Sequence, residues 1–347
     1  MTGLWSRIKR SNFLIKLRNW EYWPFGVIQL PLFVYYPLLA LRAGSFTFFS
    51  GSNPGIVMGG MFGESKHDVL RKIPIGLIPK TVLVRQPVTP EEVINLINVQ
   101  GFRYPVIFKP DIGERGYMVK RIHGSADVHQ YMHKMKFDFL IQELVDLPVE
   151  AGVFYRRYPD DDGGKVISVV LKEMLAVVGD GSSTLQQLIL NSDRAKLQWK
   201  TLEETYRDRL GEVLPHGHRM EIVSIGNHCL GTMFINGNHL INEKMHAAYD
   251  AISRRIDGFY FGRFDLRCKT IDDLTAGNVK ILELNGCGAE PAHIYDPGFS
   301  LFKAVSTLMA HWRAIFDIAQ QNRKRGHDYL PLREAVRYYQ TFRTKIR

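Results

Sequence analysis

Apolar residues along the chain fall mostly in short runs that alternate with polar ones or stop at Gly and Pro, interrupted by a few stretches at helical spacing. That pattern predicts short strands joined by turns and packed against helices, an α+β chain. Lys280-Ile281-Leu282-Glu283-Leu284-Asn285-Gly286-Cys287-Gly288 reads as a buried strand ending in polar side chains and two glycines. Period two puts Glu283 and Asn285 on one face and Leu284 on the other. Upstream, Phe259-Tyr260-Phe261-Gly262-Arg263-Phe264-Asp265-Leu266-Arg267 is a second apolar strand carrying acid and base. If the two strands pair, Asp265, Glu283 and Asn285 share a site with Arg263 beside it. The alternative is an amphipathic hairpin whose polar residues face water.

Taken in order, residues 1–20 are basic and apolar, and residues 22–41 carry no charge. The uncharged run is long enough to span a bilayer. Pro24, Pro31 and Pro37 break it, however, and Gln29 adds a polar group. The favoured reading is an interfacial or re-entrant anchor on the cytoplasmic face, held by Lys and Arg against acidic lipid. The alternative is that these aromatics pack on the body of the protein. Glycine-rich loops around a short strand, Ile56-Val57-Met58, follow. Residues 68–72 read as helix and Thr81-Val82-Leu83-Val84 as strand. Thr89 caps a helix that has Pro90 in its first turn.

Val106-Ile107-Phe108-Lys109-Pro110 is a strand ending in a lysine, and a turn with Gly113 and Gly116 follows. Such a pair makes a workable phosphate cradle, although ordinary hairpins also contain Lys and Gly. Phe139-Leu140-Ile141-Gln142-Glu143-Leu144-Val145 is a strand whose polar end leads to Glu150, a crossing able to offer backbone groups to a base and a carboxylate to a ribose. Residues 166–178 read as one apolar strand broken by Lys172-Glu173. A turn at residues 179–184 precedes a helix at 185–191. Residues 195–214 read as charged helix, 242–257 as helix and 299–321 as a long helix.

The length of 347 residues implies two or three lobes. The three cysteines, Cys229, Cys268 and Cys287, form no close pair, which points to a reducing compartment and away from a disulfide or zinc framework. The net charge of +10 is split between the two ends without an aromatic stacking module, so nucleic acid is not an expected partner. His129 and His133 lie four apart on a helix without a third ligand and read as a solvated face. Cys287 sits near the candidate site but has no identifiable base.

Together these pieces resemble the ATP-grasp superfamily over residues 66–298, on the side of D-alanine–D-alanine ligase and cyanophycin synthetase. The resemblance implies two α+β lobes clasping ATP. It divides the chain into a basic apolar segment at 1–50, a short pre-grasp region at 51–105, an ATP-grasp domain at 106–312 and a basic helix and tail at 313–347. It assigns Lys66, Lys109 and Lys172 to the phosphates, Gly113 and Gly116 to a mobile loop, Gln142, Glu143 and Val145 to adenine, and Glu150 to ribose. Asp265, Glu283 and Asn285 match the metal ligands, for Mg²⁺ with Mn²⁺ as a substitute.

Val177-Val178-Gly179-Asp180-Gly181-Ser182-Ser183-Thr184-Leu185 and the segment at 219–231 are similar to cyanophycin synthetase. They make Asp180, Arg219 and Asn227 candidate substrate residues; His293 with Asp296 is a further candidate, the alternative being a plain turn before Pro297. The implied chemistry is an amide or peptide bond formed through an acylphosphate, with ATP going to ADP and phosphate. Lys172, Arg263 and the Gly288 amide serve as catalytic groups, Arg263 and the amide on the oxyanion. The expected partners are a small carboxylate and a small amine, with a homodimer left open. The expected location is cytoplasmic, with peripheral membrane contact through residues 1–45 left open. Departures from the family are the short N-terminal region and Gly113-Glu114-Arg115-Gly116 in place of a serine-rich loop. Competing readings are an ATP-grasp enzyme acting on a cell-envelope or carbohydrate precursor at the membrane and a non-catalytic scaffold.

Overall fold

The computed structural model describes residues 11–114, 116–223, 226 and 228–345. Arg115, Asn227 and the first ten residues of the basic segment therefore lie outside the described residues. Strands β1 (Thr81–Val84), β2 (Val106–Pro110), β3 (Lys120–Ile122) and β4 (Phe139–Glu143) form a four-stranded antiparallel sheet in the order β1-β4-β2-β3. Helices Pro90–Val99 and Ser125–Lys134 cover one face. Val93 and Ile97 of the first and Val128 and Tyr131 of the second share a core with Val106, Phe108, Phe139 and Ile141. Thr89 caps the first helix with Pro90 in its first turn, as the sequence predicts, and Glu92 completes a capping box that the structure adds.

Residues 144–148 cross from β4 into a second sheet. Its strands are β5 (Val149–Arg156), β6 (Lys165–Glu173), β9 (Met233–Asn236), β10 (Phe261–Cys268) and β11 (Lys280–Asn285), in the antiparallel order β11-β10-β5-β6-β9. Alternation along β5 and β10 gives the sheet two different faces. Ala151, Val153, Tyr155, Phe264 and Leu266 point to a core with Met245, Tyr249 and Ile252 of helix Glu243–Ser253. Phe154 and Phe261 point the other way, onto Ala314, Ile315 and Ile318 of helix Leu301–Lys324. Arg263, Asp265 and Arg267 share the parity of Phe261. A register shift between Asp265 and Leu266 lets Ile281 and Leu284 of β11 enter the same core while Asp265 still faces Glu283. Between β6 and β9 the chain builds a small appendage from β7 (Ala176–Val178), β8 (Arg219–Glu221) and short helices around Leu185, Ile189 and Leu202.

The structure revises several sequence expectations. Residues 56–58 are not a strand: Val57–Gly60 is a 3-10 turn with Met58 at φ 56°. Gly59 and Gly60 also adopt positive φ, and a Cβ on Gly60 would stand 2.6 Å from Gly286 Cα, so close contact between the two glycine loops decides the local conformation. The charged stretch at 195–214 breaks into short helices. The 105/106 boundary cuts the first sheet after β1, and the 312/313 boundary falls inside the continuous helix Leu301–Lys324.

The N-terminal segment is part of the body on one side. Helix Leu30–Ala43 buries Leu32, Leu39, Ala40 and Ala43, in contact with helix Leu301–Lys324. Among the described residues no helix is long and apolar enough to cross a membrane.

Candidate active site

The two sheets face each other across a cavity of about 620 Å³, within the range that holds a small-molecule ligand. The first sheet supplies Lys109 at the end of β2, Gln142 and Glu143 at the end of β4, and the loop with Gly113 and Gly116. The second supplies Glu150, Lys172, Arg263, Asp265, Arg267, Glu283 and Asn285. Residues 144 and 145, in the crossing, border the same space, as does Lys66.

Strand pairing explains why residues far apart in sequence meet. Arg263 lies opposite Asn285 and Asp265 opposite Glu283, so the polar faces that period two sets on each strand meet. Asp265 is buried, with Lys172 Nζ 3.0 Å from one oxygen and Arg263 Nη2 3.0 Å from the other. Asn285 Nδ2 donates to that second oxygen at 2.8 Å. Burial pushes the Asp265 carboxyl up, but Arg263 and Lys172 outweigh it and hold the group down at about 2. Burial likewise works against the Lys172 charge, and Asp265 with Glu150 overcomes it and holds the ammonium above its ordinary range.

Lys109 is different. It is buried and donates to Gln142 Oε1 and Leu282 O, both at 3.0 Å. Burial pushes its ammonium down to about 8, with Glu283 pulling the other way. Lys66 donates to Gly113 O and lies 3.4 Å from Glu283.

The candidate ATP and metal residues, Lys66, Lys109, Gly113, Gly116, Gln142, Glu143, Val145, Glu150, Lys172, Asp265, Glu283 and Asn285, all border the cavity, and so do Arg263 and Gly288. One expectation there fails. The Gly288 N–H donates to Gly60 O at 2.9 Å, so this amide is not free to hold an oxyanion. The substrate candidates fare differently again. Asp180 accepts from Ser182 and Ser183 in a surface turn of the appendage. Arg219 pairs with Glu221 on β8. Neither borders the cavity. His293 is buried against Ser168 at 2.6 Å, and burial pushes its ring down to about 4, so it is a neutral core group. Cys287 is buried too, its thiol pushed up to about 12 by burial, which rules it out as a nucleophile. His129 is an exposed side chain facing Glu91.

Three contributors escaped the sequence reading. Arg267 binds Glu150 through Nε at 2.8 Å and reaches Val145 O at 3.2 Å, so it fastens the crossing between the sheets. Its alternation with Arg263 and Asp265 was the available signal. Glu64 borders the cavity with one carboxylate oxygen buried and unpartnered, and burial raises its carboxyl above the usual range. Glu21, on the N-terminal segment, is buried and held by Arg194 at 2.8 Å and His228 at 3.0 Å. Nothing local in the sequence marks that triad. It fixes residues 21–28 as a wall of the cavity, through Glu21, Trp23 and Ile28. Replacing Arg194 with Met leaves Glu21 short of a buried partner and should cost about 3 kcal/mol in denaturant unfolding. A loss below about 0.5 kcal/mol would show that other contacts hold the wall.

The chemistry of the donors suits a hard divalent cation. Asp265, Glu283 and Asn285 offer oxygens on one wall. Among the described residues, the lining carboxylates (Glu21, Glu64, Glu114, Glu143, Glu150, Asp265, Glu283 and Glu290) outnumber the lining lysines and arginines (Lys66, Lys109, Arg121, Lys172, Arg263 and Arg267). A polyanion entering such a space needs cations brought with it. Both Asp265 oxygens are already engaged, which leaves Glu283 and the Asn285 amide oxygen as the more available donors. Among the described residues no cluster of His, Cys, Asp and Glu alone is arranged to hold a metal.

No family model matches the chain, and no curated protein matches it. Similar solved structures include a bifunctional glutathione synthetase from Pasteurella multocida, 14% identical, with a TM-score of 0.37 over 70% of this chain and 35% of that one. Others are the D-Ala:D-Ser ligase VanG from Enterococcus faecalis, 12% identical, TM-score 0.40, 74% of this chain and 62% of that one, and a D-alanine–D-alanine ligase from Bacillus anthracis, 12% identical, TM-score 0.41, 78% and 71%. This chain thus spans about a third of the synthetase and less than two thirds of the VanG ligase. The antiparallel sheets packed against helices give the α+β architecture that the sequence pattern predicts.

Proposed function

We propose that the cavity binds ATP with Mg²⁺ and joins a carboxylate to an amine. The observation that carries this reading is the convergence of Lys109, Lys172 and Arg263 from the two sheets, and of Lys66 from helix Lys66–Leu70, around Asp265, Glu283 and Asn285, beside the end of β4 and the crossing that follows it. In this reading the acid's carboxylate oxygen attacks the γ-phosphorus and the bridging oxygen leaves with ADP. The amine nitrogen then attacks the acyl carbon, loses a proton and expels phosphate. Phosphoryl transfer of this kind depends chiefly on positioning and charge neutralisation.

Lys66 and Lys109 approach from the first sheet's side and meet phosphate oxygens. Lys172 and Arg263, both tied to Asp265, are held rigid for the developing charge. The crossing offers its edge to the base, with Glu150 near the ribose. Mg²⁺, when bound, neutralises phosphate charge, and Glu283 with Asn285 would hold it. The glycine turn at 113–116 and the wall at 21–28 keep water from a reactive acylphosphate.

The test is ADP release by purified protein with Mg-ATP against pools of amino acids, dipeptides and amino sugars. Release that requires one acid and one amine supports the ligase. Release unaffected by any added acid or amine sinks it. Glu283→Gln should lower turnover by at least about a hundredfold. The melting temperature should hardly move, because Glu283 is a third exposed and its pairing with Lys66 is long at 3.4 Å. Unchanged turnover would remove Glu283 from the metal assignment.

A further inference from the structure

Helix Leu30–Ala43 has two apolar faces, and among the described residues only one is covered. At about 100° per residue, Leu32, Leu39, Ala40 and Ala43 fall on the side buried against the body. Leu30, Phe33, Val34, Leu38 and Leu41 fall on the opposite side, and all are more than half exposed, Leu41 at 73%. Single exposed apolar residues are ordinary, but five on one helical stripe are not. Helix Asn12–Arg18 repeats the feature on a smaller scale, with Phe13 at 72% and Leu17 at 53%, one turn apart.

Charge decides what covers the stripe. Between residues 11 and 46 the charged residues are Lys16, Arg18, Glu21 and Arg42. Glu21 is buried and spent on Arg194 and His228, so the exposed charges of the segment are all positive. Residues 1–10 add Arg7, Lys9 and Arg10 and no acid. A second copy of the chain seated by two-fold symmetry would set this basic segment against itself. An acidic lipid surface complements it. The helix, 14 residues, is about 21 Å long, short of the roughly 30 Å hydrocarbon core, and its other face is taken by the body. It can lie in the interface but not cross it.

We propose that residues 12–46 dock the protein on the surface of an anionic bilayer, with the Leu30–Leu41 stripe in the acyl boundary and the basic side chains at the headgroups. The docking segment is continuous with the cavity wall at Trp23 and Ile28, so the site stands at the lipid surface. The proposal does not rest on the ligase reading, and its test needs no nucleotide.

The full chain is floated with vesicles of phosphatidylcholine alone and with vesicles containing phosphatidylserine. Partition onto the acidic vesicles should exceed that onto neutral ones by about tenfold and fall as salt is raised. Phe33→Glu combined with Leu41→Glu should reduce it by about a hundredfold while the melting temperature holds, since both side chains are exposed. Lys16→Glu with Arg18→Glu should remove most of the preference for acidic lipid. The proposal fails if the unaltered chain stays with neither vesicle type, or if the Phe33/Leu41 variant floats as well as the parent. A stripe variant that turns a dimer into a monomer without changing flotation would assign the face to a second copy instead.

Discussion

Asp265→Asn should be among the most damaging single substitutions in this protein. The side chain keeps its size, but Lys172 and Arg263 lose the carboxylate that neutralises them in a buried site. Breaking a buried ion pair on one side costs about 3–5 kcal/mol, because the remaining charge stays buried without compensation. Equilibrium unfolding in urea reads this directly. Adding Lys172→Met to Asp265→Asn should recover part of the loss, since it removes one of the stranded cations, and this non-additivity separates charge imbalance from a simple packing defect. A loss below about 1 kcal/mol in the single variant would mean that the cluster is open to solvent.

The same group sets an acid limit. Its pKa in the folded chain, about 2, lies below the ordinary 3.8. A depressed carboxyl stabilises the fold fully above its unfolded value, and the contribution fades as pH falls from near 4 to near 2. The parent should therefore lose more stability across that window than Asp265→Asn does.

How much of this was legible beforehand depends on the range of the interaction. Alternation puts Arg263 and Asp265 on one face of their strand and Glu283 and Asn285 on one face of theirs, and alternation is local; the pairing that sets Asp265 against Glu283 is not. The N-cap at Thr89 is local as well. Arg267 carries the same parity as Arg263, but its role depends on Glu150 and Val145, more than 110 residues away, and strand parity does not choose a partner. The Glu21 triad spans separations of 173 and 207 residues and belongs to no periodic pattern. Gly288 misled for a related reason. A glycine after a polar strand end suggests a free amide, but Gly60 accepts from it, through a contact between two glycine loops that no single stretch reveals. Asp180 and Arg219 are substrate candidates only through the likeness of their segments to cyanophycin synthetase, and side-chain type alone does not place them in a pocket. Their partners turn out to be each segment's own neighbours at the surface. The uncharged run at 22–41 supported both packing and exposure, and the helix within it does both, one on each face.

Lys109→Met should weaken nucleotide binding by roughly 10- to 150-fold with little loss of fold. Methionine fills the space of the lysine stem, and the partners left behind are one amide oxygen and one backbone carbonyl, a cost of about 1–2 kcal/mol. What disappears is the buried cation nearest the junction of β2, β4 and β11. Charge-assisted hydrogen bonds to phosphate are worth about 1.5–3 kcal/mol each, or roughly 10- to 150-fold in affinity. Isothermal titration with Mg-ATP measures the change.

A pH series gives the more discriminating result. Burial lowers the Lys109 pKa from the ordinary 10.5 to about 8, so in the free protein the ammonium is charged below that value and neutral above it. If phosphate requires the charged form, affinity should be level below about pH 8 and then fall by up to about tenfold per pH unit above it, one proton being taken up on binding. The methionine variant should lack that break. A parent whose affinity stays level through about pH 9, together with a methionine variant that binds as tightly as the parent, would show that Lys109 does not meet the phosphates, and the cradle would then rest on Lys66 and Lys172. A level profile with weakened binding in the variant would show that the ammonium stays charged above about pH 8.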